Sequence, residues 1–436
     1  LSLLYKLRQS EFVQQVAILL SGSALAQVLP FIAEPFITRL YTASELGIIT
    51  MFVSVAVMFS IVATARYEFA ILLPKSDKES LNIVALSLLI TVVVSALSLF
   101  AMWLLKDWMA ALKGNNDLAQ FLWYVPLSVF AVGLFNTFNN WANRKAYTRN
   151  MAMSKIAESG SSSGFNVIFG YMKLGSTGLV LAFLIGQIVS VLPVIFPFLR
   201  RDCKRMSEVT KSEMVHQAGV YKKFPTTHSF QAFTDMFFLS LVVFLISYYF
   251  GDEITGYYGR TYRILLAPSV LIGGVIGQIF FRKISGYKAN SEPMMGIFKK
   301  TVLSLFLIGL PIFTAIMIFG QWLFSLYLGS AFAIAGLYAA TLAPWIWIKF
   351  ITGSIAMVPV VFNRLNTSFL FSSVSNILMI ATIVIGGHLH WEVSHTFALL
   401  SALQILVWGY YILWTYQLVR QYSKSLSLNP GSSVID

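Results

Sequence analysis

Long, nearly uninterrupted apolar stretches recur from one end of the chain to the other, separated by short clusters of charged and turn-forming residues. They lie near residues 16–38, 46–71, 81–105, 121–142, 151–170, 179–199, 226–250, 257–281, 301–319, 336–362, 367–387 and 397–418. Most run to about 20 residues, enough for a helix to cross about 30 Å of hydrocarbon. Barrel strands would alternate apolar and polar positions over about ten residues. These stretches are apolar on every side, so they predict helices, the open structure that satisfies its own backbone in lipid. The expectation is an all-α polytopic membrane protein of twelve transmembrane helices. The second and tenth stretches are long enough to tilt or to extend beyond the bilayer.

Composition sharpens this pattern. Hydrophobic residues make up 57% of the 436 and charged residues only 11%, against about 25% charged in an ordinary soluble domain. The formal net charge of +13 would suggest nucleic acid in a soluble protein. Here the distribution of basic residues matters more. With the N-terminus inside, 22 Lys and Arg fall in cytoplasmic segments and four in outside loops. Basic loops resist translocation, so both termini are expected in the cytoplasm, with Ser2, Cys203 and Ser432 inside and Asn115 and Gly387 outside. The excess is then a topology signal, with a secondary attraction to anionic inner-leaflet lipid and no nucleic-acid partner. Lys6 and Arg8 before an apolar run resemble a signal peptide, but the run is long and lacks a small-residue cleavage site, so it reads as an uncleaved first span. Cys203 is the sole cysteine, which excludes an intrachain disulfide and a CxxC metal site.

The expected organisation is a first six-helix lobe over 1–199, a basic cytoplasmic linker over 200–225, a second six-helix lobe over 226–418 and a cytoplasmic tail over 419–436. The linker suits either an amphipathic interfacial helix or a solvated connection.

Nine charged side chains fall within the predicted spans: Glu34, Arg66, Glu68, Lys155, Glu158, Asp235, Arg260, Arg263 and Lys349. Each costs about 2.5–3.5 kcal/mol at a helix centre on insertion scales, so most should face protein or a watery cavity. Several belong to polar stripes at helical spacing: Lys155, Glu158, Ser162 and Asn166; Gln27 and Glu34; His228, Gln231 and Asp235. Asn136, Asn139, Asn140 and Asn143 in span four, and Ser372, Ser375 and Asn376 in span eleven, add amides and hydroxyls suited to sugars. Hydrogen bonds between helices account equally well for any one of them. Arg66, Glu68 and Arg260 lie near span ends, where snorkelling or an Arg–Glu pair competes with a ligand role.

Arg260 and Arg263 stand three residues apart and can meet a phosphate together. Arg263, helped by Arg260 and by Lys155 across the lobe interface, is the candidate for an anionic group, with Lys349 and Arg66 as further candidates. The alternative partner for Arg263 is Asp235 or Glu158 in a structural ion pair. Asp235 and Glu34 are the candidates for ion coupling, because hydrocarbon disfavours the ionised carboxylate. Glu158 is a weaker one, with Lys155 one turn away.

The chain has no GxxxxGK[ST] and no HExxH, and no enzymatic activity or cofactor is expected. His388, His390 and His395 have the only metal-like spacing, and they read as solvated loop residues rather than ligands.

Several segments carry a family resemblance. They are Thr38-Arg39-Leu40-Tyr41-Thr42 with Glu45 and Gly47, Arg66-Tyr67-Glu68 with Ala70-Ile71 and Leu73-Pro74, and Phe224-Pro225. The longest runs from Gly256-Tyr257 through Arg263, Leu265 and Pro268 to Leu271-Ile272-Gly273, Gln278 and Phe280. In order and spacing these resemble the Wzx-type polysaccharide flippases of the multidrug/oligosaccharidyl-lipid/polysaccharide exporter superfamily. Ala43 departs from the pattern, standing where a proline is common, and Glu34 precedes Pro35 at a potential kink. The resemblance implies two six-helix lobes around a central cavity in the bacterial inner membrane. They would move an undecaprenyl-diphosphate-linked oligosaccharide, such as an O-antigen repeat unit, to the periplasmic leaflet. It also implies H+ or Na+ coupling, with a glycan polymerase and chain-length proteins as partners. A drug or small-cation exporter of the same superfamily is the first alternative. A membrane glycan polymerase or ligase is disfavoured by the short outside loops.

Overall fold

The apolar stretches fold as helices, as a backbone deprived of water requires. The computed structural model describes residues 11–113 and 117–428, so Ser2, Asn115 and Ser432 lie outside the described residues. We number the long helices α1 (Glu11–Leu40), α2 (Ala43–Ser60), α3 (Asp77–Lys113), α4 (Val125–Arg144), α5 (Thr148–Tyr171) and α6 (Gly175–Pro197). Then follow α7 (229–250), α8 (252–289), α9 (Met295–Leu328), α10 (Ala333–Ser354), α11 (Leu365–His388) and α12 (Val393–Leu428).

Nine runs among the described residues are long and apolar enough to cross a membrane. One of them, Phe224–Ala289, is 66 residues long and turns at Gly251 into α7 and α8. Adding α1 and the polar-striped α5 gives the twelve helices that the pattern predicts. Leu97, Leu192, Ile318 and Leu406 are more than half exposed, a surface suited to lipid and not to water. At Gly251 the backbone takes φ 89° and ψ 171°, which a Cβ would strain.

The second and tenth apolar stretches break instead of extending. After Ser60 the chain turns, with Ala65 at φ 48° and Arg66 at φ 63°, and continues as a 3-10 helix over Tyr67–Leu72. After Ser354 it turns again into the short helix Val358–Val361, ending at Asn363 with φ 52°. Neither break carries a glycine at its left-handed position. Tertiary bonds hold the first one: Thr64 donates its hydroxyl to the buried Glu68 carboxylate, and Tyr67 Oη donates to Ala218 O at 2.9 Å. Pro30 and Pro35 do not interrupt α1.

The chain divides into two compact units, Leu1–Tyr248 and Tyr249–Asp436. The division falls beside Gly251, so α7, assigned by the sequence to the second lobe, groups with the first unit. In the first unit α5 lies against α1 so closely that a Cβ on Gly22 would stand 2.5 Å from Ala152 Cβ. Tyr41 Oη donates to Asn166 O at 2.8 Å across the same pair. The family motif at 38–47 is an N-terminal cap for α2. Thr42 N donates to Glu45 Oε2 at 2.8 Å, and Glu45 N donates back to Thr42 Oγ1 at 3.3 Å.

The linker after α6 is ordered and helical. It runs through a π turn at Phe198–Asp202 and a 3-10 turn at Cys203–Glu208 into the helix Lys211–Val220, capped by Thr210. Trp141 Nε1 donates to Asp202 Oδ2 at 2.9 Å, and Thr210 N donates to Asn82 Oδ1 at 3.0 Å. Asp77, at the start of α3, receives Arg144 at 3.1 Å, Lys145 at 2.5 Å and Arg205 at 3.1 Å. One carboxylate thus ties α3, the end of α4 and the linker together.

In the second unit α9 crosses α10 at Gly320 and Gly336, and α11 packs on α12. Ser375 Oγ donates to Gln404 Oε1 at 2.6 Å, and Gln404 Nε2 donates to Ser375 O at 2.8 Å. For Ser375, then, the interhelical hydrogen bond is the role the structure gives.

Candidate functional site

The chemically distinctive cluster of the second unit lies on α8 and α10. Tyr258 and Tyr262 are one helical turn apart and stack with centroids 5.7 Å apart and planes 20° from parallel. Trp345 and Lys349 are likewise one turn apart on α10, and Tyr262 meets Trp345 at 6.1 Å. Lys349 Nζ donates to Tyr262 Oη at 2.9 Å. The same ammonium lies 5.5 Å from the Tyr262 ring centroid and 5.4 Å from that of Trp345. Aromatic faces attract a cation without neutralising it. Among the described residues no carboxylate lies within ion-pair distance of Lys349, so its charge remains available. An ammonium has three donors, and Tyr262 occupies one.

Arg260 and Arg263 stand on α8 to either side of Tyr262. Arg260 is buried, and Arg263 is exposed. The predicted pair therefore divides between protein interior and open surface, with Arg263 the more accessible guanidinium. The indole Nε1 of Trp345 is buried without a hydrogen-bond acceptor among the described residues. Tyr258, Trp345 and Arg260 are buried, Tyr262 and Lys349 are half-buried and Arg263 is exposed, so the accessible set is one guanidinium, one ammonium and one phenol, which can meet an anion and a sugar hydroxyl. The sequence reading named Arg260, Arg263 and Lys349 but not Tyr258, Tyr262 or Trp345. The available signal was the four-residue spacing of Tyr258/Tyr262 and Trp345/Lys349, which an apolar run conceals.

The first unit holds the other candidates. Lys155 Nζ donates to Ser23 Oγ at 3.0 Å, which joins the polar stripe of α5 to α1. Glu158 follows one turn later and is half-buried. Glu34 is 2% exposed on α1, and Asp235 is half-buried on α7. Arg66 sits in the left-handed turn after α2, its guanidinium 5.4 Å from the Phe69 ring centroid. On α4, Asn140 Nδ2 donates to Asn136 O at 2.9 Å, within its own helix. In the second unit, His388 pairs with Tyr249 Oη at 3.0 Å. No group of three or more His, Cys, Asp or Glu converges on a metal position among the described residues.

Twelve long helices among the described residues, with charged and aromatic groups set among them, define a polytopic α-helical membrane protein. The chain belongs to the polysaccharide biosynthesis protein family, whose model matches residues 36–335. Its fold is similar to that of the lipid II flippase MurJ in an inward closed conformation, with TM-score 0.71, 14% identity, and 93% of this chain and 90% of that one covered. It is similar also to an inward-facing multidrug resistance MATE family transporter of the MOP superfamily, with TM-score 0.65, 13% identity and coverage of 95% and 99%. A third likeness is to a MOP superfamily transporter from Pyrococcus furiosus described as having a binding pocket of reverse polarity, with TM-score 0.53, 13% identity and coverage of 94% and 95%. No curated protein sequence matches the chain significantly.

Proposed function

We propose that this protein is a flippase that moves polyprenyl-diphosphate-linked oligosaccharide repeat units from the cytoplasmic to the periplasmic leaflet of a bacterial inner membrane. It works by alternating access driven by an ion gradient. The observation that carries the reading is the Lys349–Tyr262–Trp345 cluster with Arg260 and Arg263 on the adjoining helix. A cation held by aromatic faces keeps an affinity for diphosphate that a salt bridge would cancel, and the half-buried Tyr262 phenol suits a sugar hydroxyl. Membership of a polysaccharide biosynthesis family supports the glycan, and the likeness to a lipid II flippase supports the lipid carrier. The lipid tail stays in hydrocarbon throughout. Deleting the gene in its own host should make lipid-linked repeat units accumulate on the cytoplasmic leaflet and remove the surface glycan. Undiminished glycan export in the deletion strain would overturn the reading.

The ion enters through Asp235 or Glu34, a half-buried carboxylate on α7 and a buried one on α1. A carboxylate in such surroundings binds H+ or Na+ and releases it when the surroundings change. Asp235→Asn or Glu34→Gln should reduce gradient-driven transport at least tenfold in proteoliposomes while leaving protein abundance near normal. Full transport in both variants would exclude these residues from coupling.

A further inference from the structure

The linker between α6 and the π turn Phe224–His228 that precedes α7 is pinned on one side and bare on the other. Its inner side is committed to protein through the bonds of Asp202, Arg205, Thr210 and the Ala218 carbonyl. Its outer side carries Arg200, Arg201, Lys204, Lys211, Lys222 and Lys223, all exposed. Arg201 reaches the face of Tyr147, with its guanidinium 5.4 Å from the ring centroid. The nearby carboxylates are already engaged: Asp77 and Glu208 by Arg205, and Glu213 by Gln217. Among the described residues none pairs with the other linker cations.

The same outer side is also apolar. Along the helix Lys211–Val220 the exposed positions are 211, 212, 215, 216, 219 and 220, one continuous stripe at helical spacing. Val215 is 64% exposed and Val220 56%, and Leu199, at the exit from α6, is 55% exposed. Water gives exposed valines on a docked helix no return. The headgroup boundary does, because it takes apolar side chains and phosphate-seeking cations on one face. The linker is placed for this, since it follows α6 at the end of the run Gly175–Glu208 and leads into the next run, which starts at Phe224.

We propose that the outer face of the linker is a docking surface for anionic phospholipid headgroups. Leu199, Val215 and Val220 rest at the acyl boundary, and the six cations bind lipid phosphates. This rests on the membrane-spanning reading of the chain, not on which glycan it carries or which side the linker faces. Because its inner side is fixed to α3 and α4, the linker presents this face in register with the bundle and not as a loose tether.

Cys203, the chain's only cysteine, is exposed within this face and supplies a native reporter. The full chain, labelled there with acrylodan, is placed in nanodiscs of phosphatidylcholine alone or mixed with phosphatidylglycerol. Emission should shift to the blue in the mixed discs, and molar salt should reverse the shift by screening charge. The triple change Arg200→Gln, Lys204→Gln, Lys211→Gln should remove the lipid-dependent shift. Val215→Asp with Val220→Asp should reduce it. Identical spectra in the two disc compositions would overturn the proposal. So would an equal shift produced by inorganic phosphate added to phosphatidylcholine discs, which would make the patch a site for the free anion. The comparison of lipids uses unsubstituted protein, so it holds even where a variant folds poorly, and a transport defect has no bearing on it.

Discussion

Arg263→Ala should insert and accumulate normally yet fail to restore glycan export to a strain lacking the gene. Arg263 is exposed on α8, one residue beyond the tyrosine that holds Lys349, so its removal opens no cavity in a packed core. A diphosphate loses its most accessible guanidinium, and a charge-assisted contact of that kind is worth about 1.5–3 kcal/mol. Export should fall by at least tenfold, since about 1.4 kcal/mol corresponds to a factor of ten. Arg263→Lys should keep part of the activity, because an ammonium supplies the charge without the bidentate fork. Arg263→Glu should abolish export, since it sets like charge against the phosphates. A structural ion pair gives a different signature. Arg263→Ala would then lower the amount of folded protein, and a second substitution at the partner carboxylate would restore it. Quantitative immunoblotting beside surface-glycan assays distinguishes the two. Normal abundance with undiminished export would reject the diphosphate role.

Gly336→Leu should leave almost no folded protein. At the α9–α10 crossing a Cβ on Gly336 would stand 2.3 Å from Gly320 O and 2.6 Å from Gln321 Cα. The obstacle is the backbone of α9, so no side chain can swing away to relieve it. Small residues allow helices in a bilayer to approach closely, and the lost packing has no hydrophobic force to replace it. The cost should be about 3 kcal/mol or more, the upper end for overpacking, a large share of a marginal stability of about 5–15 kcal/mol. Gly336→Ala should be milder but measurable. Gly409→Ala on α12, where a Cβ meets nothing within 4 Å, is the matched control and should melt near the parent temperature. Size-exclusion thermal melts of detergent-solubilised protein measure all three. Because α10 also carries Trp345 and Lys349, partly folded Gly336→Ala should lose transport faster than abundance.

Much of the candidate site was legible as residue types but not as an arrangement. Lys349 announced itself, since a lysine in an apolar run is expensive and needs a reason. Its partners did not, because Tyr262 and Trp345 look like any other membrane aromatics until α8 and α10 are placed side by side. The family motifs were legible as resemblance before their physical roles were known. Thr42 and Glu45 cap α2, Tyr67 anchors the linker and Arg66 occupies a left-handed turn. The breaks after α2 and α10 escaped because hydropathy is blind to backbone angles, and Ala65, Arg66 and Asn363 are not glycines that would have marked a turn.

By itself the sequence determined the solvent, the class of secondary structure and the number of helices, together with the ordered motifs of a polysaccharide biosynthesis family. These follow from short-range properties. A run of apolar residues cannot remain in water, and its backbone cannot remain unpaired in lipid, whatever lies elsewhere in the chain. Tertiary structure decided that α7 groups with the first unit, that the linker is fixed to α3 and α4, and that Lys349 is held by two aromatic rings with no carboxylate in ion-pair range among the described residues. Each depends on which helix faces meet. Helices surrounded by lipid have little hydrophobic preference for one partner over another, so those meetings are settled by glycine contacts, hydroxyls and single carboxylates far apart in sequence, which no local pattern can pair.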